Sequence, residues 1–176
     1  MQNNSESPVV VVDDDHDDLS LTATLLSKVA GVSRLIQIAD AEHAVDFLSD
    51  LERSGPDYPR AIVLDVKMPG MTGLDLLQWI REHHVFDRVP VIMWSSSDDP
   101  RDIERAARLG AQCYVGKYPP VPAVEEMFKA IDKWRGLDSA DRFFRMRCNL
   151  FSGCDALPDF VRAPSRDRPE EKPAAE

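Results

Sequence analysis

Short apolar runs without polar alternation recur along the first two thirds of the chain. The first, Val9-Val10-Val11-Val12, has no polar position, which is typical of a strand buried on both faces of a parallel sheet. Similar runs follow at regular intervals, separated by turn residues. The pattern predicts five strands, at residues 9–12, 34–39, 61–64, 90–94 and 113–115.

Each predicted strand is followed by a segment in which apolar residues recur at helical spacing. Asp99-Pro100 is typical of a helix start, an N-cap followed by proline at the first helical position, and Gly110 is typical of a helix end. The spacing predicts helices at residues 18–30, 41–53, 74–80, 100–109 and 122–134.

The regular alternation of strand and helix predicts an α/β fold, because right-handed crossovers place helices on both faces of a parallel sheet. We expect a flavodoxin-like, doubly wound, five-stranded parallel sheet with strand order 2-1-3-4-5. We assign residues 8–136 to this domain.

The character of the chain changes at residue 137. Aromatic and aliphatic residues there predict one amphipathic helix at residues 139–151, on Phe143, Phe144, Cys148, Leu150 and Phe151. Prolines amid charges then predict disorder beyond about residue 162. The expected architecture is therefore one domain with a helical and disordered C-terminal extension, residues 137–176.

The charge balance argues against several classes of function. The 176 residues carry a formal net charge of -10, and such a surface repels nucleic-acid phosphates. No apolar run approaches the roughly 20 residues of a membrane span, and the polar N-terminus lacks a secretion signal. The three cysteines have no metal-ligand spacing and are expected to be free thiols. We therefore expect a cytoplasmic protein with no nucleic-acid or membrane partner.

Polar residues follow the predicted strands at their carboxyl ends, where open α/β sheets bind ligands. Asp13-Asp14 follows the first strand, Asp65 the third, Ser95 the fourth and Lys117 the fifth. Because the first and third strands are expected to be neighbours, the three carboxylates should converge. Such a group suits Mg²⁺, and a carboxylate beside that ion can accept a phosphoryl group whose charge a lysine neutralises.

These features resemble the receiver domains of two-component response regulators, over about residues 8–135. The residues that carry the resemblance are Val12-Asp13-Asp14-Asp15, residues 62–74 (IVLDVKMPGMTGL), Ser95-Ser96, Tyr114 and Lys117. Within that family the chain is most similar to single-domain regulators paired with phytochrome-type histidine kinases. The cues for this subfamily are the Asp-Asp-Asp-x-Asp-Asp start, the long loop before the third strand, and Ser-Ser-Ser-Asp-Asp.

The resemblance implies a role for each site residue. Asp65 would accept a phosphoryl group, and Mg²⁺ would be held by Asp13, Asp14, Asp65 and the backbone carbonyl of Lys67. Ser95 and Lys117 would contact the phosphoryl group. Ser95 would then move inward and Tyr114 would follow, as a two-state switch.

The implied function is a phosphoprotein switch in signal transduction rather than an enzyme. Its expected partners are a sensor histidine kinase or a phosphotransfer protein. A second copy of the chain is a further candidate partner, through the fourth helix, fifth strand and fifth helix.

Two other functions stay open from the residues alone. In a haloacid-dehalogenase-type phosphatase, Asp13 would be the nucleophile and Asp15 the general acid. Against it, Asp17 stands where a hydroxyl residue is expected, no acidic pair follows Lys117, and Asp65 would have no task. The last alternative is a phosphate-independent adaptor, which the intact set of site residues disfavours.

Two positions bear on the phosphate chemistry. The receiver pattern has proline directly after the lysine with a cis bond between them, whereas here Tyr118 precedes Pro119. A cis bond before a non-proline residue costs about 2.5–4 kcal/mol, so we expect it to move to Tyr118–Pro119 or to be lost. The ammonium of Lys67 is expected over the mouth of the pocket, where it would alter the lifetime of the phosphate.

Overall fold

A computed structural model describes residues 7–55, 58–135, 142–146 and 159–162. The strands are β1 (Val9–Val12), β2 (Leu35–Ile38), β3 (Ala61–Leu64), β4 (Val91–Ser95), β5 (Cys113–Gly116), β6 (Arg142–Met146) and β7 (Asp159–Arg162). The helices are α1 (His16–Leu26), α2 (Ala41–Ser54), α3 (Gly73–Glu82), α4 (Pro100–Leu109) and α5 (Val121–Arg135), with a 3-10 turn at His84–Phe86.

The first five strands form a parallel sheet in the order β2-β1-β3-β4-β5, so the flavodoxin-like fold is confirmed. Successive side chains of a strand point to opposite faces of the sheet. Val10 and Val12 accordingly join the core beneath α2, α3 and α4, while Val9 and Val11 join the core beneath α1 and α5. Burial on both faces explains why β1 has no polar position.

The first helix begins earlier than its apolar spacing predicts. Asp15 is its N-cap, and the Asp15 carboxylate accepts hydrogen bonds from the backbone N–H groups of Asp17 and Asp18 at 2.9 and 3.1 Å. The cap places Asp17 and Asp18 in the first turn, next to the end of β1. Carboxylates are favoured at this end of a helix.

The prediction of a helix at residues 139–151 is wrong where the structure describes that segment. Residues 142–146 form β6, which pairs in parallel with β5, and β7 pairs antiparallel with β6. Five residues are too few to separate helical from strand periodicity, and aromatic residues favour strands. The edge of β5 also offers unpaired backbone groups that a further strand satisfies. The other predicted helix residues and the predicted disordered tail beyond residue 162 lie outside the described residues.

In the part of the chain that the structure describes, no helix combines the length and the hydropathy required to cross a membrane.

Candidate functional site

Three carboxylates meet at the carboxyl ends of β1 and β3. The backbone N–H of Asp65 donates to the carbonyl of Val12 at 2.9 Å, which places the two strand ends side by side. Asp13, Asp14 and Asp65 each offer a carboxylate oxygen, and these oxygens lie within 4.8 Å of one another. Asp13 and Asp65 are buried and Asp14 is exposed, so the group is accessible to solvent at Asp14.

The ammonium of Lys117, which follows β5, lies within this acidic group. Its Nζ is 2.9 Å from Oδ2 of Asp13, 3.2 Å from Oδ1 of Asp65 and 2.5 Å from Oδ2 of Asp18. Burial disfavours the charged form of Lys117, but the hydrogen bonds to Asp18 and Asp13 and the charge of Asp65 outweigh burial and raise its pKa. Lys117 is therefore a permanent cation of the pocket at neutral pH.

Burial raises the pKa values of both Asp13 and Asp65 above the usual value for aspartate, although Lys117 acts in the opposite direction. The backbone N–H groups of Asp15 and Lys67 also stabilise the two carboxylates, at 3.1 and 2.7 Å. One ammonium does not balance all the carboxylates around it. The pocket therefore favours a further cation.

The donor atoms match a hard divalent ion. Mg²⁺ prefers oxygen ligands, and carboxylates at the mouth of a crevice leave room for the waters that this ion retains. The three clustered carboxylates fit that preference on the chemistry of their donor atoms. The carbonyl of Lys67 as a fourth ligand stays a prediction; the backbone at that residue is held against Asp65 by the Lys67 N–H.

Ser95 and Tyr114 both contact the backbone of Ser97, in the loop after β4. Ser95 is buried, and its hydroxyl oxygen accepts a hydrogen bond from the Ser97 N–H at 3.1 Å. Tyr114 is also buried, and its hydroxyl donates to the Ser97 carbonyl at 2.9 Å. Ser97 therefore connects the two residues that the resemblance to receiver domains assigns to a switch.

A family model for the response regulator receiver domain matches residues 9–131. The chain belongs to the response regulator receiver family. The match gives no support to the haloacid-dehalogenase-type alternative, and receiver domains are in general signalling switches that bind Mg²⁺ at an acidic cluster.

Known proteins similar to this receiver domain agree with the assignment. Two-component response regulator ORR27 of Oryza sativa subsp. japonica is 32% identical over 127 residues, covering 72% of this chain. Two-component response regulator ORR1 of the same plant is 32% identical over 111 residues, covering 62% of this chain. The chain spans only 19% and 48% of the lengths of these two relatives.

A solved structure extends the likeness to the fold. The bacteriophytochrome response regulator AtBRR is 30% identical in sequence and superposes with a TM-score of 0.59, covering 72% of this chain and 90% of that chain. This structure and the family match agree on the receiver fold.

Two residues of this receiver domain, Asp18 and Tyr118, belong to the site but were not predicted. Asp18 contacts Lys117 through Oδ2, and its Oδ1 accepts a hydrogen bond from the Tyr118 hydroxyl. These hydrogen bonds lower the pKa of Asp18, and the bond to Asp18 raises the pKa of Tyr118 to about 12. The acidic run after β1 was the available signal for Asp18, but nothing local indicates that it reaches the loop after β5.

That loop departs from the receiver pattern as its sequence predicts. The described residues contain no cis peptide bond, so the cis bond expected after the family's lysine is lost here. Tyr118 instead adopts a φ of 63°, in the left-handed region.

Without divalent ions, the free energy of unfolding is expected to rise as the pH falls through the raised pKa of Asp65 towards the ordinary aspartate value. The raised pKa of Asp65 means that the folded state binds a proton more strongly than the unfolded state. The stability gained from Asp65 is thus full below the ordinary aspartate pKa and is lost as the pH rises through the folded-state pKa. Urea unfolding across this pH range should show a shallower pH dependence for Asp65→Asn than for the wild type.

The difference between the two proteins reports Asp65 together with its effect on Asp13, whose pKa is raised by burial and also by the charge of Asp65. His43 also has a raised pKa, because of its hydrogen bond to Asp40, and it titrates in both proteins. Acids with lowered pKa values, such as Asp18 and Asp75, change protonation below this pH range. Equal pH dependence in the wild type and Asp65→Asn would show that burial does not perturb Asp65.

Proposed function

We propose that this chain is a phosphorylation-controlled signalling switch in which Asp65 accepts a phosphoryl group from a phosphohistidine. The observation that carries the proposal is the meeting of Asp65 with Asp13, Asp14 and Lys117 at the strand ends. The donor is the histidine of a sensor kinase or a phosphotransfer protein, the partners that the receiver family implies. Since such kinases use ATP, we place this reaction in the cytoplasm.

The chain's own residues position and balance the reaction. A carboxylate oxygen of Asp65 attacks phosphorus, the P–N bond to the donor imidazole breaks as the P–O bond forms, and the imidazole takes up a proton. Lys117 neutralises charge on the phosphoryl oxygens, and the Lys67 N–H holds the second oxygen of Asp65. Asp13 and Asp14, with Asp65, would hold Mg²⁺, which when bound supplies further positive charge to the phosphoryl oxygens.

Ser95 and Tyr114 transmit the effect of Asp65 phosphorylation to the protein surface. The Ser95 hydroxyl donates to a phosphoryl oxygen, and its movement releases the N–H of Ser97. Since the carbonyl of Ser97 holds the Tyr114 hydroxyl, the position of Tyr114 depends on the same loop. The output is a change in the surface formed by α4, β5 and α5.

The surface proposed for a dimer includes β5, and the extension of the sheet pairs along this same strand. A homodimer through α4, β5 and α5 remains part of the proposal, but β6 pairs along β5. Such a dimer would therefore rest on α4 and α5, or would require β6 to leave. The similarity to a bacteriophytochrome response regulator supports a phytochrome-type kinase as the donor.

Intact-mass measurement with Mg²⁺ and acetyl phosphate tests the proposal. The wild type should gain one phosphoryl group, and Asp65→Asn should gain none, because the accepting oxygen is gone. Removal of Mg²⁺ with EDTA should also prevent the gain in the wild type. Incorporation that survives in Asp65→Asn and disappears in Asp13→Asn would overturn the proposal in favour of the phosphatase chemistry.

A further inference from the structure

The carboxylate of Asp18 links α1 to two consecutive residues of the loop after β5. Its Oδ2 lies 2.5 Å from the ammonium of Lys117, and its Oδ1 accepts a hydrogen bond from the Tyr118 hydroxyl. The same ammonium contacts Asp13 and Asp65. Asp18 is therefore a third carboxylate on the lysine, and it comes from outside the acidic group at the strand ends.

Partial burial leaves this contact less screened by water than a surface ion pair. The side chain of Lys117 is 7% exposed and that of Asp18 is 25% exposed, so water screens the pair only in part. The neighbouring carboxylate of Asp17 is exposed on the same turn. The two acids thus lie on the same helix turn and carry the same charge, but they differ in their access to the pocket.

The loop after β5 depends on such an external contact. The receiver pattern has proline directly after the lysine, whereas Tyr118 stands here with a φ of 63°. A non-glycine residue in the left-handed region persists when its surroundings hold it there. The hydrogen bond from Tyr118 to Asp18 is such a constraint, and it acts one residue from Lys117.

We propose that Asp18 is a positioning residue for Lys117 in phosphoryl transfer to Asp65, and that Tyr118 orients Asp18. An ammonium has three N–H donors. Asp18 engages one of them on the α1 side, which directs the other two towards Asp13 and Asp65. A donor held in place before the reaction stabilises developing charge better than a mobile one. This inference rests on the proposed phosphorylation of Asp65.

A matched pair of variants tests the inference. Asp18→Ala and Asp17→Ala each remove one carboxylate from the first turn of α1, but only Asp18 contacts Lys117 in the structure. The rate of phosphoryl incorporation is measured by intact mass across acetyl phosphate concentrations at saturating Mg²⁺. The maximal rate should fall about tenfold in Asp18→Ala with an unchanged half-saturating donor concentration, and Asp17→Ala should match the wild type.

Two further variants separate positioning from a general effect on structure. Asp18→Asn keeps an oxygen that can accept from Lys117 and Tyr118, so its maximal rate should lie between those of the wild type and Asp18→Ala. Tyr118→Phe should lower the maximal rate about threefold, and this effect should vanish in the Asp18→Ala background, because the two residues act as a unit.

The outcomes distinguish failure of this inference from failure of the proposed function. A wild type that gains no phosphoryl group overturns both. A phosphorylated wild type with equal rates in Asp18→Ala and Asp17→Ala overturns only the positioning role. A faster Asp18→Ala also overturns it, since Asp18 would then compete with the phosphoryl group for Lys117. If Asp18→Ala does not fold, Asp18→Asn and Tyr118→Phe decide the question by the same rates.

Discussion

Lys117→Met is expected to slow phosphorylation of Asp65 about a hundredfold, the effect of removing one preorganised donor from a reaction centre. Methionine has a similar length but no charge, so the change removes the ammonium that contacts Asp13, Asp18 and Asp65. The measurement is the rate of phosphoryl incorporation at saturating Mg²⁺, followed by intact mass.

The same substitution should strengthen Mg²⁺ binding, measured by titration calorimetry. The ammonium competes with a divalent ion for Asp13 and Asp65, and its removal leaves these carboxylates without an internal cation. Lys28→Met is the control, because Lys28 is exposed near the end of α1. Weaker Mg²⁺ binding in Lys117→Met, or a phosphorylation rate equal to that of the control, would contradict the electrostatic account of the pocket.

Gly73→Ala is expected to destabilise the protein by about 3 kcal/mol, as when extra atoms are forced into a packed site. An added Cβ would lie 1.8 Å from the carbonyl oxygen of Asp65 and 2.9 Å from its carbonyl carbon. Neither atom belongs to a flexible side chain, so the backbone itself must shift. Urea unfolding at neutral pH, with the midpoint and slope compared, measures the loss.

This close approach also links the start of α3 to the proposed phosphorylation site. The backbone N–H of Gly73 donates to the carbonyl of Val66 at 3.1 Å, so the helix begins directly against the residues around Asp65. Gly73→Ala should therefore also slow phosphorylation. Gly55→Ala is the control, because a Cβ there meets no atom of the other described residues within 4 Å and strains only a φ of 103°, at a cost of about 1 kcal/mol. Equal stabilities of the two variants would disprove the close contact.

The extension after α5 shows where sequence patterns fail. Its aromatic residues were interpreted as one face of a helix, but residues 142–146 form β6 against β5. The choice depends on the free backbone groups of a strand about thirty residues earlier in the chain, which no local window contains. Five residues of mixed apolar and basic character fit either periodicity.

The acidic run after β1 shows a different limit. Its position after a buried strand was enough to predict Asp13 and Asp14 at the site, because the carboxyl ends of parallel strands share one edge of the sheet. The N-cap at Asp15 then turns the chain so that Asp18 reaches Lys117 and Tyr118. Asp18 is separated along the chain from Lys117 by 99 positions and from Tyr118 by 100 positions. Only the packing of α1 beside the loop after β5 brings these residues together.

The amino-acid sequence by itself determined the five-stranded parallel fold and the meeting of Asp13, Asp14, Asp65 and Lys117. Strand burial, helix caps and the polar residues at strand ends are local features, and the order of alternating elements restricts how they assemble. Only the tertiary structure decided the ion pair between Lys117 and Asp18, the close approach of Gly73 to the Asp65 carbonyl and the pairing of β6 with β5. These contacts depend on distances of a few ångströms between segments far apart in the chain, which periodicity and spacing do not specify.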